Sequence, residues 1–494
     1  MNLSSHVEFL QELESLFPVD TWRVGDLHVW PLVRYRLSVD NLALVNRTRD
    51  ESSDPLLSRA RKVVENERDW LEAELRDSNH SVSVTKPVDV LCYGDGVSQL
   101  FAGGTWHNRF SDPLAHRAEA LGLSASTWVP LNRFCTPRAR PSSFIQPLLD
   151  AHGVFCKATH LLGPPARLEN YEGLREHVLR RFPHARVPSR AEIGKAGYYV
   201  EQHSRLYRRL LEKVRPKACF IVSYYGTERS SFVRACRQLG IPSVDVQHGY
   251  AGDRHWAYSG WSRVPEGGYD LLPSVFWRWS ESDKAVIDAW ASRTNGAHRA
   301  EVVGNIFLSA WWQRQFPSID EATRRARAVQ ARAMGRTNLL FTLNGFETSD
   351  MLDRMVAMFR RRRSDTFFWL RTHPSRAGQR EALHNRLGSL VGEHVSIDEA
   401  TDLPLPVVLE SIDLHLTEIS TTVVEAELYG VPSIILGRLR SVLYAAQLSS
   451  GIAQVADTIE DIPRVAAELK RHPRTGQACF ARSYDRQLLE LVGR

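Results

Sequence analysis

Four short tracts put chemically useful side chains where an apolar strand gives way to a loop. Gln247-His248-Gly249 closes one such strand. A glycine there lets backbone approach a ligand, and an imidazole can donate to a phosphate or shuttle a proton. A core histidine ahead of a turn glycine is the plainer role. The following loop, with Tyr250, Gly252, Asp253, Arg254, His255 and Trp256, is rich in polar and aromatic groups and favours a functional one. Ser223-Tyr224-Tyr225-Gly226-Thr227-Glu228 follows another strand. Gly226 permits a tight turn, Thr227 can cap the next helix, and Glu228 falls in its first turn. Glu228 either pairs with the helix dipole or acts as a base or nucleophile.

The second half holds the other two. In Trp369-Leu370-Arg371-Thr372-His373-Pro374, the cation and the imidazole are two apart at a strand end, so both can point the same way, and Pro374 fixes the exit. That pair suits a phosphate; a solvated strand end is the alternative. In Leu416-Thr417-Glu418-Ile419-Ser420-Thr421-Thr422, hydroxyl groups cluster where a helix opens. Orphan backbone N–H groups and the positive end of the helix dipole make a phosphate seat there, and Ser420 or Thr421 can serve as N-cap at the same time. Glu425, farther in, either reaches a ribose or base or stands as an ordinary helix-face carboxylate.

These tracts need a scaffold. Apolar runs at 88–93, 127–131, 218–224 and 243–247 read as buried parallel strands, with helices expected at 113–121, 191–214 and 228–239. A second alternating block has strands at 338–343, 367–371, 395–397, 412–417 and 433–437, and helices at 351–361 and 421–429; residues 301–304 read as a linker strand. Strand–helix alternation of this kind predicts doubly wound parallel sheets. Helices are expected at 6–17 and 58–75, and the tryptophans between them, Trp22 and Trp30, read as core anchors. The predicted organisation is a helical segment over 1–85, a Rossmann-like domain over 86–295 and a second over 296–494, two facing domains with a cleft. Ligands in such sheets sit beyond the carboxyl ends of the strands, where all four tracts lie.

Composition narrows the class. At 494 residues, with 43% apolar and 24% charged residues, the chain reads as globular and too long for one core. The net charge is +6, from 63 basic and 57 acidic residues. Arg360-Arg361-Arg362-Arg363 and Arg324-Arg325 with Arg327 read as solvated helix faces, not a nucleic-acid patch. Six scattered cysteines without a C-x-x-C pair predict buried free thiols in a reducing compartment and no structural zinc site. The acidic N-terminus does not read as a signal peptide, and no run approaches the ~20 apolar residues of a membrane helix, so a cytoplasmic protein is expected. No Walker loop, G-x-G-x-x-G, G-x-S-x-G or H-E-x-x-H is present, which weighs against ATPases, dehydrogenases, α/β-hydrolases and zinc proteases.

Gln247-His248-Gly249, His373-Pro374 and Ser420-Thr421 before Glu425-Ala426 resemble bacterial GT-B-fold glycosyltransferases of capsule and lipopolysaccharide assembly. Kdo transferases, polysialyltransferases and CDP-glycerol glycerophosphotransferases share such motifs, and the resemblance spans about residues 85 to 440. It implies that Arg371, His373, Pro374, Glu418, Ser420, Thr421, Thr422 and Glu425 surround a nucleotide-sugar donor, CMP-sugars favoured. It implies Glu228, His248 and Asp253 as catalytic groups, with Asp112 a further carboxylate, and Arg109, Asp112, Gln247 and Gly249 on the acceptor side. The implied partners are a nucleotide-sugar and a polysaccharide or glycolipid acceptor, with peripheral association with the membrane or an assembly complex left open. No separate cofactor is implied, and the lack of an Asp-x-Asp after a strand predicts no divalent-metal requirement. Residues 1–80 and 250–270 match nothing in that pattern. A sugar-nucleotide epimerase is a rival on the same scaffold, weakened by missing acidic and histidine signatures after its first strand. A non-catalytic nucleotide- or polysaccharide-binding protein is the other.

Overall fold

A strand covered on both faces must be apolar on both, and the central strands of the two large sheets are buried almost residue for residue. The structure, a computed structural model, describes residues 3–46, 83–95, 98–130, 136–316, 319–333, 335–344, 347–373, 379–437, 441–469 and 484–493. The expected helix over 58–75, Pro374, Cys135 and Cys479 lie outside them.

Seven strands form the first sheet: β1 (Val90–Tyr93), β2 (Ala125–Val129), β3 (Ser143–Phe144), β4 (Ala218–Ile221), β5 (Ser243–Val246), β6 (Val275–Arg278) and β7 (Arg299–Val302), in the order β7-β6-β5-β4-β1-β2-β3. Six form the second: β8 (Thr337–Thr342), β9 (Thr366–Arg371), β10 (Val395–Ser396), β11 (Leu414–Thr417), β12 (Ser433–Leu436) and β13 (Ala453–Ala456), in the order β10-β9-β8-β11-β12-β13. Every pairing in both sheets is parallel. In each, the chain runs outward from β1 or β8, then returns to its other side and runs outward again. This is the doubly wound Rossmann order, with its switch point between β1 and β4 in one sheet and between β8 and β11 in the other. Glu301 and Val302, the first half of the expected linker strand 301–304, are strand and complete β7, the edge of the first sheet, by pairing with Trp277 and Arg278 of β6.

The main helices are α1 (Leu3–Leu16), α2 (Trp30–Asn46), α3 (Ser111–Ala120), α4 (Gln146–Thr159), α5 (Arg190–Val214), α6 (Thr227–Gln238), α7 (Glu281–Ala291), α8 (Ser349–Arg362), α9 (Asp398–Asp402), α10 (Thr422–Leu428) and α11 (Tyr484–Leu491). The longest, α5, opens on a capping box in which Ser189 and Glu192 satisfy each other's backbone N–H. The chain is two compact units: one takes the chain up to Phe307, apart from Leu100–Gly103, and takes back the C-terminal stretch that carries α11.

Side-chain alternation splits the first sheet between two cores. Leu91, Tyr93, Cys219, Ile221 and Phe276 face one, and Val90, Cys92, Phe220, Val244 and Trp277 the other. The first core also swallows α1 and α2: Phe9, Leu13, Trp22, Trp30 and Leu37 belong to it, and both tryptophans are fully buried. An ion pair with no exposed side-chain surface, Glu14–Arg34, ties those helices to the loop after β5. Arg34 donates to the carbonyls of Trp256, Ser259 and Gly260, and Glu14 accepts from Trp30 Nε1, from the Ser262 hydroxyl and from the Ser262 and Arg263 N–H groups. Within the two regions that the resemblance leaves unmatched, α1 and α2 therefore pack as one assembly with the loop after β5. No helix among the described residues is long and apolar enough to cross a membrane.

Candidate functional site

In the first unit, β4 and β5 run in parallel with Ile221 opposite Asp245, so the residues just past each strand end lie side by side. Ser223 and His248 meet there: Ser223 Oγ is 2.8 Å from His248 Nε2. Ser223 is buried and held at φ +57°, the left-handed region that costs a non-glycine residue about 1–2 kcal/mol. Gly226, at φ +97°, completes the turn before α6. A serine on a tight strand-to-helix turn, strained and bonded to an imidazole, is an arrangement that positions a reactive group.

The floor beneath this pair is charged and fixed. Asp245 and Arg278, neither with exposed side-chain surface, form an ion pair at 3.0 Å, and Asp245 also accepts from the Tyr224 N–H. The Arg278 guanidinium lies 4.3 Å from the Tyr258 ring centroid. Burial lowers the His248 pKa below the usual 6.5, partly opposed by Asp245 and Asp95, so the ring is neutral at pH 7. The tautomer that donates Nε2–H to Ser223 leaves on Nδ1 the lone pair that takes a proton. His255, in the same loop, is pushed down to about 3, chiefly by burial. Asp95 stands just past β1, across the switch point from β4; it is buried and accepts from the Ser98 N–H and hydroxyl at 2.6 and 2.9 Å.

The other expected residues of this unit spread around that centre. The Glu228 carboxylate accepts from the Tyr93 hydroxyl at 2.5 Å, and Tyr93 in turn meets the Tyr207 hydroxyl at 2.7 Å, so Glu228 is drawn toward the first core. Asp253 is exposed and pairs with Arg254 at 3.4 Å. Gln247 clamps the loop, donating to Gly249 O and Asp283 and accepting from the Trp279 N–H. The Arg109 guanidinium lies 5.6 Å from the ring centroids of Phe110 and Phe307. Asp112 accepts from the Asn108 N–H at 2.9 Å, and burial pushes its carboxyl up to about 7. It lines a cavity of about 30 Å³ with Trp106, Arg138 and Arg140, room for about one water molecule.

In the second unit the switch point falls between β8 and β11, and Asn344, past β8, donates to Ile419 O at 3.2 Å across it. The loop from Thr417 to Thr421 is tightly bonded. Tyr444 Oη accepts from the Ser420 N–H and donates to Ser420 O, at 2.8 and 3.0 Å, while Ser420 Oγ accepts from the Thr422 N–H at 3.2 Å. Helix α10 that follows has seven residues, shorter than the expected 421–429. Glu418 is half-buried and Glu425 buried. Below the loop, His415 joins three strands through Thr342 and Ser433, and burial holds it near 3, hence neutral.

Arg371 ends β9, and His373 lies two residues beyond it. Arg371 donates to Ala400 O and Leu403 O at 2.6 and 2.8 Å, binding the carboxyl end of α9, where a cation is favoured. His373 is exposed.

Sequence reasoning singled out His248 but not its partner Ser223, nor Asp95, nor the Asp245–Arg278 pair. Ser223 carries no glycine at the spacing that announces a serine on a sharp turn. The only signal for the pairing was that Ser223 and His248 each follow an apolar strand at nearly the same offset.

No protein-family model and no curated protein matches the chain. Among solved structures, MnaA of S. aureus in a co-structure with UDP is similar at 12% identity, covering 81% of this chain and 94% of that one, with a TM-score of 0.47. The UDP-GlcNAc 2-epimerase of Methanocaldococcus jannaschii, in complex with UDP-GlcNAc and UDP, is similar at 13% identity over 82% of this chain and 99% of that one, TM-score 0.47. The glycosyltransferase SnogD of Streptomyces nogalater is similar at 13% identity over 83% and 96%, TM-score 0.36.

Proposed function

We propose that the chain is a glycosyltransferase whose second unit binds a nucleotide-activated sugar, CMP-sugars favoured, and whose first unit supplies the base for a polysaccharide or glycolipid hydroxyl. The observation that carries this reading is the Ser223–His248 pair at the carboxyl ends of β4 and β5, a neutral imidazole held by a strained serine. His248 Nδ1 takes the acceptor proton as the new C–O bond forms and the bond from the sugar to phosphate breaks. Ser223 holds the ring. His373 and the hydroxyls of Ser420, Thr421 and Thr422 meet the developing phosphate charge, with Glu418 and Glu425 toward the nucleoside. Arg371 supports this wall by holding α9. His248 takes the role of base over Glu228 and Asp253, since Glu228 already holds the Tyr93 hydroxyl and Asp253 is exposed. Arg109, Asp112, Gln247 and Gly249 remain the acceptor side of the proposal.

One observation favours a second reading. An epimerase needs an acid and a base on one sugar nucleotide, and Asp95, just past the first strand of the sheet, is close enough to His248 to raise its pKa. The sequence had weighed against an epimerase for want of an acidic group there; Asp95 supplies one. Turnover separates the two. The transferase releases free nucleotide only when an acceptor is present, and labelled sugar is recovered on that acceptor. Interconversion of the sugar nucleotide without acceptor would replace the transferase by the epimerase. Nucleotide binding with neither reaction would leave a binding protein.

A further inference from the structure

Away from both switch points, three metal-ligand side chains converge on the outer helices of the first unit. His152 and Cys156 are four apart on α4, which stacks them one turn from each other on one face. Cys156 Sγ lies 3.4 Å from His152 Nδ1. Helix α5 packs against α4 and brings His203, whose ring centroid is 5.0 Å from that of His152. One ligand atom from each of the three lies within 4.8 Å of the others.

Two further details belong to a ligand set more than to a chance cluster. His203 Nδ1 donates to Tyr199 O at 2.8 Å, which fixes the ring and leaves the lone pair on Nε2, as the outer shell of a metal-bound histidine does. The Tyr199 hydroxyl is shielded from water and has no hydrogen-bond partner among the described residues, and Tyr199 lies close enough to Cys156 to sense its charge. An orphaned phenol is costly unless something in the site takes its proton bond.

We propose that His152, Cys156 and His203 form a zinc site that fastens α4 to α5 and leaves a fourth position for water. Two imidazoles and one thiolate are the borderline-soft set that Zn²⁺ takes in tetrahedral geometry, while magnesium and calcium require oxygen ligands. Binding replaces the Cys156 S–H bond with a Zn–S bond and releases that proton to solvent. Water in the fourth position gives the Tyr199 hydroxyl an acceptor. The sequence hides such a site, because two ligands share one helical turn and the third comes from a distant helix, so no C-x-x-C spacing appears.

The test uses the full, untagged chain, stripped with a chelator and titrated with Co²⁺. The expected result is one equivalent bound, a thiolate-to-cobalt band in the near ultraviolet, and displacement by Zn²⁺. Cys156→Ser, nearly equal in volume, should lose that band, and His203→Gln should weaken Co²⁺ binding at least tenfold. Circular dichroism and the metal-free melting midpoint should match the wild type in both. Should Cys156→Ser fail to fold, His152→Gln should weaken Co²⁺ binding at least tenfold, as His203→Gln does. A chain that binds no stoichiometric cobalt, or a band that survives in Cys156→Ser, would overturn the proposal.

Discussion

His248→Ala should lower kcat about 10²- to 10⁴-fold, the usual loss when a positioned general base is removed. Thermal stability should change little, because His248 is half-buried and, among the described residues, its side chain bonds to Ser223 alone. The pH profile gives an independent check. Burial lowers the folded-state pKa of His248, and the neutral ring is the active base, so activity stays flat through neutral pH and falls only below 6.5. In His248→Ala that acidic limb should vanish along with the rate. Ser223→Ala should act through His248, costing about five- to tenfold in kcat, which matches the loss of one hydrogen bond. Steady-state kinetics across pH would contradict this if His248→Ala kept wild-type kcat.

The second large effect is on stability. Glu14 and Arg34 are wholly buried, and removing one partner leaves an uncompensated charge, which costs about 3–5 kcal/mol. Against a typical total of about 5–15 kcal/mol, Arg34→Met should come close to unfolding the first unit. Urea denaturation should show the loss as a lower midpoint. Pairing the change with Glu14→Leu should recover only part of it, because the Trp30 indole and the Ser262 and Arg263 donors would lose their acceptor. A midpoint unchanged in Arg34→Met would mean that the N-terminal helices do not rest on this pair. Because Arg34 holds the loop after β5, partial unfolding should also blunt activity; measurement at 10 °C and at 37 °C separates that from a direct effect on His248.

The sheets were legible because parallel strands buried on both faces leave continuous apolar runs. Val88 to Tyr93, Asn338 to Leu343 and Ser433 to Gly437 could hardly be read otherwise. What the sequence concealed was pairing. The two-residue strand β3 holds too few apolar side chains to announce itself, and β7 reads as a linker strand whose place at the edge of the first sheet only pairing reveals. Sequence alone showed Trp22, Trp30 and the loop 250–270 as unrelated aromatic stretches, whereas the buried Glu14–Arg34 pair joins them across more than two hundred residues of chain. At the site, single strand ends gave His248, His373 and Ser420. Ser223 and Asp95 acquire meaning only when register sets them beside other strands. Arg371 reads in sequence as a phosphate ligand or a solvated strand end, and its bonds to the Ala400 and Leu403 carbonyls are visible only in the fold.

The central claim is that the second unit holds a nucleotide. The most direct measurement is the melting midpoint of the purified protein with CMP, CDP, UDP or GDP, repeated on His373→Ala. A ligand bound only by the folded state stabilises it by about 2.7 kcal/mol at a hundred times its Kd. One nucleotide of the four should raise the wild-type midpoint, and the rise should shrink in His373→Ala while the unliganded midpoints agree. If no nucleotide moves the wild type, or if wild type and variant shift equally, the donor seat at His373 and the Ser420 loop is contradicted.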